Sequence, residues 1–385
     1  MKTILILFLA LFLQLPGKAF TLSNQAQISI LTCSPGTELY SLFGHTAIRI
    51  HDPLHQYDQV FNYGTFDFQT PNFYLKYAQG LLPYQLSTIP FRYFMYSYQM
   101  EQRSVYSQTL KLDSIQRQKL FDLLLENHQI TNRYYLYNFL FDNCTTRTRD
   151  ILQKSLPNPI AWNTPNNQKT FWNLLDEYLQ ASPWVHWGIH TILGQRGNQE
   201  ATPFQYMFLP DYLMQALSTA QYEETAMASP RQTLYTAPTV PQKHPWYTSP
   251  ACIFICCSIL LIIITGYTKS KKWLNIITVF LFFSTGIIGL LIVFLGAFTA
   301  HPITAPNWNI LWANPLNFII WPFLLTKKMT KGVRYYLASY MFLLCIAIFV
   351  VLFTHPAIPL STIPLIILLV YISWKQYFKQ GKIKK

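Results

Sequence analysis

The stretch "DNCTTRTRD" places Cys144 directly after an amide, Asn143, and ahead of hydroxyls and arginines. A cysteine nucleophile needs a lowered pKa and a base within hydrogen-bond reach. Asp142 or Asn143 can cap a helix here, with Ile151 and Leu152 continuing its apolar face. A thiol in that first turn meets free backbone N–H groups at the positive end of the helix dipole, and Arg147 and Arg149 add positive charge. Asn143, Thr145 and Arg147 are therefore candidates for the thiolate or oxyanion environment. His45, in "YSLFGHTAIRI", is the best candidate base: Gly44 permits close backbone approach, and a histidine opening a strand can reach a neighbouring helix end. The other histidines have weaker contexts. His51 and His55 fall in a turn, His128 ends a helix, and His186 and His190 lie in an aromatic loop.

Blander readings compete at each position. Cys33 and Cys144 are the only cysteines in the part of the chain before the apolar segments, and in an oxidising compartment they are candidates for a disulfide. His45 is alternatively a satisfied core histidine, although alternation in "HTAIRIHD" sets Ile48 and Ile50 on one face and His45, Arg49 and His51 on a polar one. Arg49, Arg147 and Arg149 serve equally well as surface ion pairs or as holders of a phosphate or thiolate. Cys252, Cys256, Cys257 and Cys345 lie in apolar runs and read as packing residues. Without a CxxC pair there is no zinc signal, and no metal is expected.

The elements that must position these residues are legible in outline. "QISILT", "HTAIRIHD" and "QVFNYGTFDF" read as strands, and "DSIQRQKLFDLLLENH" as a helix capped by Asp113 or Ser114, with Ile115, Leu120, Phe121, Leu124 and Leu125 at helical spacing. Further helices are expected in "QKTFWNLLDEYLQ" and "PDYLMQALSTAQYEET". Residues 1–19, with Lys2, an apolar run and small Ala19, read as a secretory signal peptide. Residues 20–227 then form one exported domain, 228–250 a proline-rich linker, 251–374 a membrane domain and 375–385 a basic tail.

From Pro250 onward, five uncharged apolar segments approach the roughly 20 residues that span a bilayer, the third and fifth being short or interrupted by proline. All 16 acidic residues precede Pro250, against 15 basic residues in residues 21–250, so the exported part is near neutral. The 12 later positive charges fall in alternate connections, Lys269 to Lys272, Lys327 to Arg334 and the tail. By the positive-inside rule these connections are cytoplasmic, which places the exported domain and the loops around His301 and His355 outside and the C-terminus inside. The net charge of +13 is thus membrane topology and no sign of nucleic-acid binding. In "HPITAPNWNILWANPLNFIIWP", Asn309, Asn314 and Asn317 enter an apolar span. They read either as the lining of a functional cavity or as inter-helix hydrogen-bond partners, with Trp308 and Trp312 as headgroup anchors; His301 is placed to touch a lipid phosphate.

Gly44-His45 opening a strand and Asn143-Cys144 opening a helix resemble the circularly permuted papain-like fold of the NlpC type, which includes the lecithin:retinol acyltransferase family. A more extensive likeness carries through "LTCSPGTELYSLFGHTAIRI", "VFNYGTFDF", "FLFDNCTTRTRDIL" and "NWNILWANPL": in these motifs the chain resembles bacterial lipoprotein N-acyltransferases of the Lnb type. The resemblance implies an α+β permuted papain-like periplasmic domain followed by an all-α five-helix transmembrane domain in the bacterial inner membrane. It implies transfer of an acyl chain from a membrane phospholipid, through a Cys144 thioester, to the N-terminal amine of a diacylated lipoprotein, with His45 as base and no cofactor. The lecithin:retinol pattern has Glu-His after Asn-Cys, where this chain has Thr145-Thr146. The resemblance therefore leaves the third catalytic residue open; Asn62, at the start of the next strand, is the candidate to orient His45, with Tyr63 or Glu38 behind it, and Tyr40, Arg49, Tyr63, Glu38, His301, Asn309, Trp312 and Asn314 are the substrate-binding candidates. Two alternatives remain: a Cys-His amidase or peptidase acting on cell wall or protein, and a non-catalytic membrane receptor or assembly factor held by a Cys33–Cys144 bridge.

Overall fold

The computed structural model describes residues 20–238, 245–267, 271–301, 303–326, 329–354 and 358–378. The signal-peptide stretch, the end of the basic tail and His355 lie outside the described residues. The first part is built from β1 (Gln27–Cys33), β2 (His45–Asp52), β3 (Tyr57–Thr65), α1 (Phe73–Gln79), β4 (Pro83–Pro90), α2 (Phe91–Met100), β5 (Val105–Thr109), α3 (Ser114–His128), β6 (Tyr134–Leu136) and α4 (Cys144–Ser155). It continues through α5 (Phe171–Leu179), α6 (Pro183–Ile192), α7 (Pro203–Tyr206), α8 (Pro210–Thr219), β7 (Gln221–Tyr222), β8 (Thr225–Ala226) and β9 (Gln232–Tyr235).

Seven strands form one antiparallel sheet in the order β6-β4-β3-β2-β1-β5-β9. Alternation along β1 sends Ile28 and Ile30 into a core shared with Leu120, Phe121 and Leu124 of α3 and Ile151 and Leu152 of α4. Leu31 and Cys33 point to the other face, into a smaller core with Ala47, Val60 and Phe94 of α2. The face of β2 expected to be polar is thus covered: Ala47 is buried, and Arg49 lies 3.4 Å over the Phe91 ring while pairing with Asp58. Asp113 caps α3 by accepting the Gln116 N–H at 2.7 Å, and Ile115, in the first turn, faces outward. A third core joins Leu42 and Leu140 to α5 and α8. The stretch read as a linker from residue 228 does not begin there, because Gln232–Tyr235 pairs with β5 as the edge strand and Ala237 N–H donates to Ser104 Oγ.

The helical part comprises α9 (Pro250–Tyr267), α10 (Lys271–Ala297), α11 (Leu316–Leu324), α12 (Lys331–Phe353) and α13 (Ile363–Phe378). Among the described residues four helices are long and apolar enough to cross a membrane, not five. The third apolar segment is broken into a short 3-10 turn, Trp308–Leu311, and the nine-residue α11, with Pro322 inside it. At 1.5 Å per residue α11 is about 14 Å long, far short of the roughly 30 Å hydrocarbon core. The break is held by polar groups that find partners inside the bundle. Asn317 Nδ2 donates to Thr285 Oγ1 and to the Tyr340 hydroxyl at 2.9 and 3.0 Å, its Oδ1 accepts the Tyr336 hydroxyl at 2.6 Å, and the Tyr340 hydroxyl donates to the Trp312 carbonyl. Trp312 is wholly buried, so it is a packing residue and no headgroup anchor.

The two parts touch through the connection after α10. Ala300 N–H donates to the Gln79 carbonyl at 2.9 Å, and Gly194 and Gln195 N–H donate to the carbonyls of Ile303 and Pro306. Asn307 Nδ2 donates to Thr191 O, and the Trp187 indole donates to Thr362 Oγ1 at 3.0 Å.

The broken segment also needs Gly289, where an added Cβ would lie 2.2 Å from the Ala313 carbonyl oxygen and 2.6 Å from Pro315 N. Gly289→Ala should therefore cost about 1–3 kcal/mol by overpacking, read as a lowered Tm in detergent. Gly266→Ala, whose Cβ would meet only Tyr371 OH at an ordinary 3.5 Å, should leave Tm unchanged.

Candidate active site

Cys144 is the first residue of α4, and Asn143 is its cap. Asn143 Oδ1 accepts the N–H groups of Thr145 and Thr146 at 2.8 and 2.9 Å, while Thr146 Oγ1 returns a bond to the Asn143 N–H. The cap's amide nitrogen donates to the carbonyls of Phe139 and Phe208 at 2.7 and 2.9 Å. Both ends of Asn143 are therefore committed to the backbone, and its place is in positioning the thiol, not in donating to an oxyanion. Thr145 is likewise turned to the sheet, its Oγ1 lying 3.1 Å from Thr46 Oγ1 and 3.7 Å from Cys144 Sγ. Arg147 does not face the thiol. Its guanidinium forms a two-pronged pair with Asp142 at 2.6 and 2.8 Å and lies 3.5 Å over the Tyr135 ring.

His45 opens β2 at the end of the sheet, beside the start of α4. Its Nε2 lies 3.3 Å from Asn62 Oδ1. Because that oxygen only accepts, Nε2 carries the hydrogen in this contact. Burial raises the Cys144 thiol, but the neighbouring His45, which also hydrogen-bonds it, outweighs this, with help from the Thr46 N–H and the Thr145 hydroxyl. The net effect lowers the thiol from 9.0 to about 7. Only 8 % of Cys144 is exposed, so the group that would ionise is nearly closed off from water.

Cys33 differs in every respect. It sits opposite His45 in the β1–β2 register, fully buried against Tyr98, and burial pushes its thiol up to about 12. Both cysteines are free thiols, so the bridge between them is not formed.

Several residues beside the thiol were not among the candidates read from the sequence. Gly64, at φ +86°, forms its floor: a Cβ there would lie 3.5 Å from the Cys144 Cβ and 3.9 Å from the Tyr135 hydroxyl. That hydroxyl is buried without a hydrogen-bond partner, and burial and the adjacent Cys144 both hold its pKa up. Tyr137 is half-buried near the same cysteine and stacks on Tyr84 at 4.4 Å. The signal for the tyrosines was the run Tyr134, Tyr135 and Tyr137 ahead of the cysteine, and that for Gly64 was its place in "VFNYGTFDF".

The remaining candidates are dispersed. Glu38 and Tyr40 are exposed. The Tyr63 hydroxyl points into the core and accepts from Asn127 Nδ2 at 2.8 Å, so neither it nor Glu38 backs Asn62 by a hydrogen bond. Arg49 is engaged with Asp58. His301 Nε2 lies 3.2 Å from the Ala78 carbonyl, at the junction of the two parts. Asn309 is buried and donates to the His190 carbonyl while accepting the Trp312 indole N–H, and Asn314 Oδ1 caps the Leu316 N–H. His186 and His190 are on helix α6, not in a loop, and meet Asp176 of α5.

The geometry predicts a pH-dependent thiol. Alkylation of Cys144 by iodoacetamide, followed on its peptide by mass spectrometry, should rise with a midpoint near pH 7. In His45→Gln the midpoint should move above 9.0, because burial then acts unopposed by the imidazole, and Cys33 should stay unmodified throughout.

Comparison with known families gives two matches. Residues 18–177 match the Lnb N-terminal periplasmic domain and residues 242–383 the Lnb transmembrane domain, in that order and covering most of the chain. No curated protein and no solved structure matches.

Proposed function

The chain belongs to the Lnb-type family, as a multi-pass membrane protein with a periplasmic N-terminal domain and a function related to lipoprotein N-acylation; we propose that it moves an acyl chain from a membrane phospholipid, through a thioester on Cys144, to the N-terminal amine of a diacylated lipoprotein. The arrangement of a histidine on a strand, an asparagine on its neighbour and a later cysteine at a helix start supports a permuted papain-like core for the periplasmic domain. His45 Nδ1 takes the Cys144 proton, and the thiolate adds to the ester carbonyl. The carbon–oxygen bond then breaks, and His45 returns the proton to the departing lysophospholipid oxygen. In the second half His45 takes a proton from the attacking amine, the carbon–sulfur bond breaks as an amide forms, and that proton passes to the departing Cys144 sulfur. The Cys144 N–H, which at the first helical position has no intrahelical acceptor, and the Tyr135 hydroxyl stabilise the oxyanion.

The observation that carries this reading is the apolar surface between the thiol and the membrane part. Tyr137, half-buried beside Cys144, stacks on Tyr84, and ring contacts through Phe66 and Phe73 lead on to Tyr77 of α1. That helix has no buried residue and exposes Tyr74, Leu75 and Tyr77, with Phe68 and Leu81 flanking it. Its end is tied to the membrane part by Ala300 and His301. An exposed aromatic helix at this place suits the acyl chains of a lipid partly lifted from the bilayer.

The same reading includes a fifth crossing by the broken segment and a cytoplasmic C-terminus. In support, Trp187 of the periplasmic part meets Thr362 at the start of α13, and Lys375 near its other end donates to the Thr265 carbonyl in the last turn of α9. The chain leaves α10 beside Gln79 and α12 ends beside the cavity at His186, an arrangement that supports a return across the bundle by the broken segment between them.

The test is a trapping experiment with labelled phospholipid. Wild type should carry a hydroxylamine-sensitive acyl label, Cys144→Ser should lose N-acylation, and Tyr135→Phe should lower the rate of labelling roughly 10²-fold at unchanged fold. An unlabelled wild type that cleaves amides would replace this reading with the hydrolase one.

A further inference from the structure

Away from the thiol, three ligating side chains converge at the junction of the two parts. His186 and His190 are four residues apart on α6, so both project from one face of the helix. Both Nε2 atoms point at a single oxygen, Asp176 Oδ1 of the preceding helix, at 3.0 and 2.7 Å. One atom from each residue lies within 4.8 Å of the others, and among the described residues this group alone has that property.

The group is braced from behind and open in front. The Trp172 indole stacks on His190 at 3.8 Å, and the His190 carbonyl accepts from Asn309 Nδ2 of the connection after α10. His190 is 3 % exposed, whereas Asp176 and His186 are 27 % and 35 % exposed. In front lies a cavity of about 450 Å³, walled by the heads of the spanning helices at Pro250, Val351, Ile358 and Leu360. Two imidazoles and a carboxylate form a donor set suited to a divalent first-row transition ion, with a remaining coordination position for water or another oxygen.

We propose that Asp176, His186 and His190 bind one such ion, zinc or a close relative, with its open position facing the cavity between the periplasmic part and the spanning helices. Bound there, the ion ties α5 to α6 at the surface where α6 rests on the membrane domain, and it presents a positive charge to an oxygen ligand entering the cavity. The inference does not depend on the acyl-transfer reading, since none of the three residues touches Cys144 or His45 in the geometry above.

The full chain, purified in detergent without a polyhistidine tag, should retain about one zinc per chain by elemental mass spectrometry. After chelation, added Zn²⁺ should raise Tm, and Co²⁺ should give the intense visible absorption of a low-symmetry nitrogen and oxygen site. His186→Ala and Asp176→Asn should hold less than a tenth of the metal and show no zinc-dependent Tm, while Cys144 keeps its alkylation profile. Absence of both zinc binding and a cobalt spectrum in wild type overturns the proposal, as do variants that fold and retain the wild-type metal content. If the variants fail to fold, the wild-type cobalt spectrum alone decides.

Discussion

Everything at the thiol depends on how Asn143 satisfies the start of α4. A buried helix start leaves several N–H groups without partners, and each costs about 1–3 kcal/mol if left so. Asn143 supplies two acceptor bonds to these groups and donates two more to the chain at Phe139 and Phe208. This locks the loop before α4 to the segment before α8 and sets Cys144 against the end of β2. The His45 ring and the Thr46 N–H then meet the sulfur from the sheet side. The lowered thiol is thus a property of a join between a helix and a sheet, not of the helix end alone, because burial by itself would drive it the other way.

The membrane part obeys the same rule in a harsher solvent. A polar group in hydrocarbon has no water to turn to, so a broken segment is tolerated only where side chains complete its hydrogen bonds. Asn317 meets this need with three partners and Tyr340 ties the chain at Trp312, which is why an interrupted helix can sit inside the bundle. The connection that follows α10 is likewise used in both directions. Its backbone completes hydrogen bonds of the periplasmic part, and in doing so it fixes α1 and α6 against the membrane domain.

How much of this was readable from the chain varies by residue. His45, Cys144 and Asn143 are visible because each sits at a recognisable junction, a strand start or a helix start, and Asn62 because it lies in the strand that follows His45. Arg147 and Arg49 read equally well as ligands or as ion-pair partners, because positive charge near a site is ambiguous until its carboxylate is located; Asp142 and Asp58 take them. Trp312 looked interfacial because tryptophan at a span's edge so often is, yet packing put it inside. The edge strand at Gln232–Tyr235 was hidden by flanking prolines, since a four-residue strand shows too little alternation to outweigh them.

By itself the sequence determined what depends on local order: the apolar segments, their charge asymmetry, the capped helix starting at a cysteine and the histidine opening a strand. Tertiary structure decided what depends on residues distant along the chain. It left Cys33 and Cys144 unbridged, put the Tyr135 hydroxyl beside the thiol, and gathered Asp176 with two histidines into one cluster. The reason is physical. Periodicity and capping act over a few residues, whereas hydrogen-bond partners, desolvation and ligand geometry are set by whichever side chains the packed fold brings within a few ångströms.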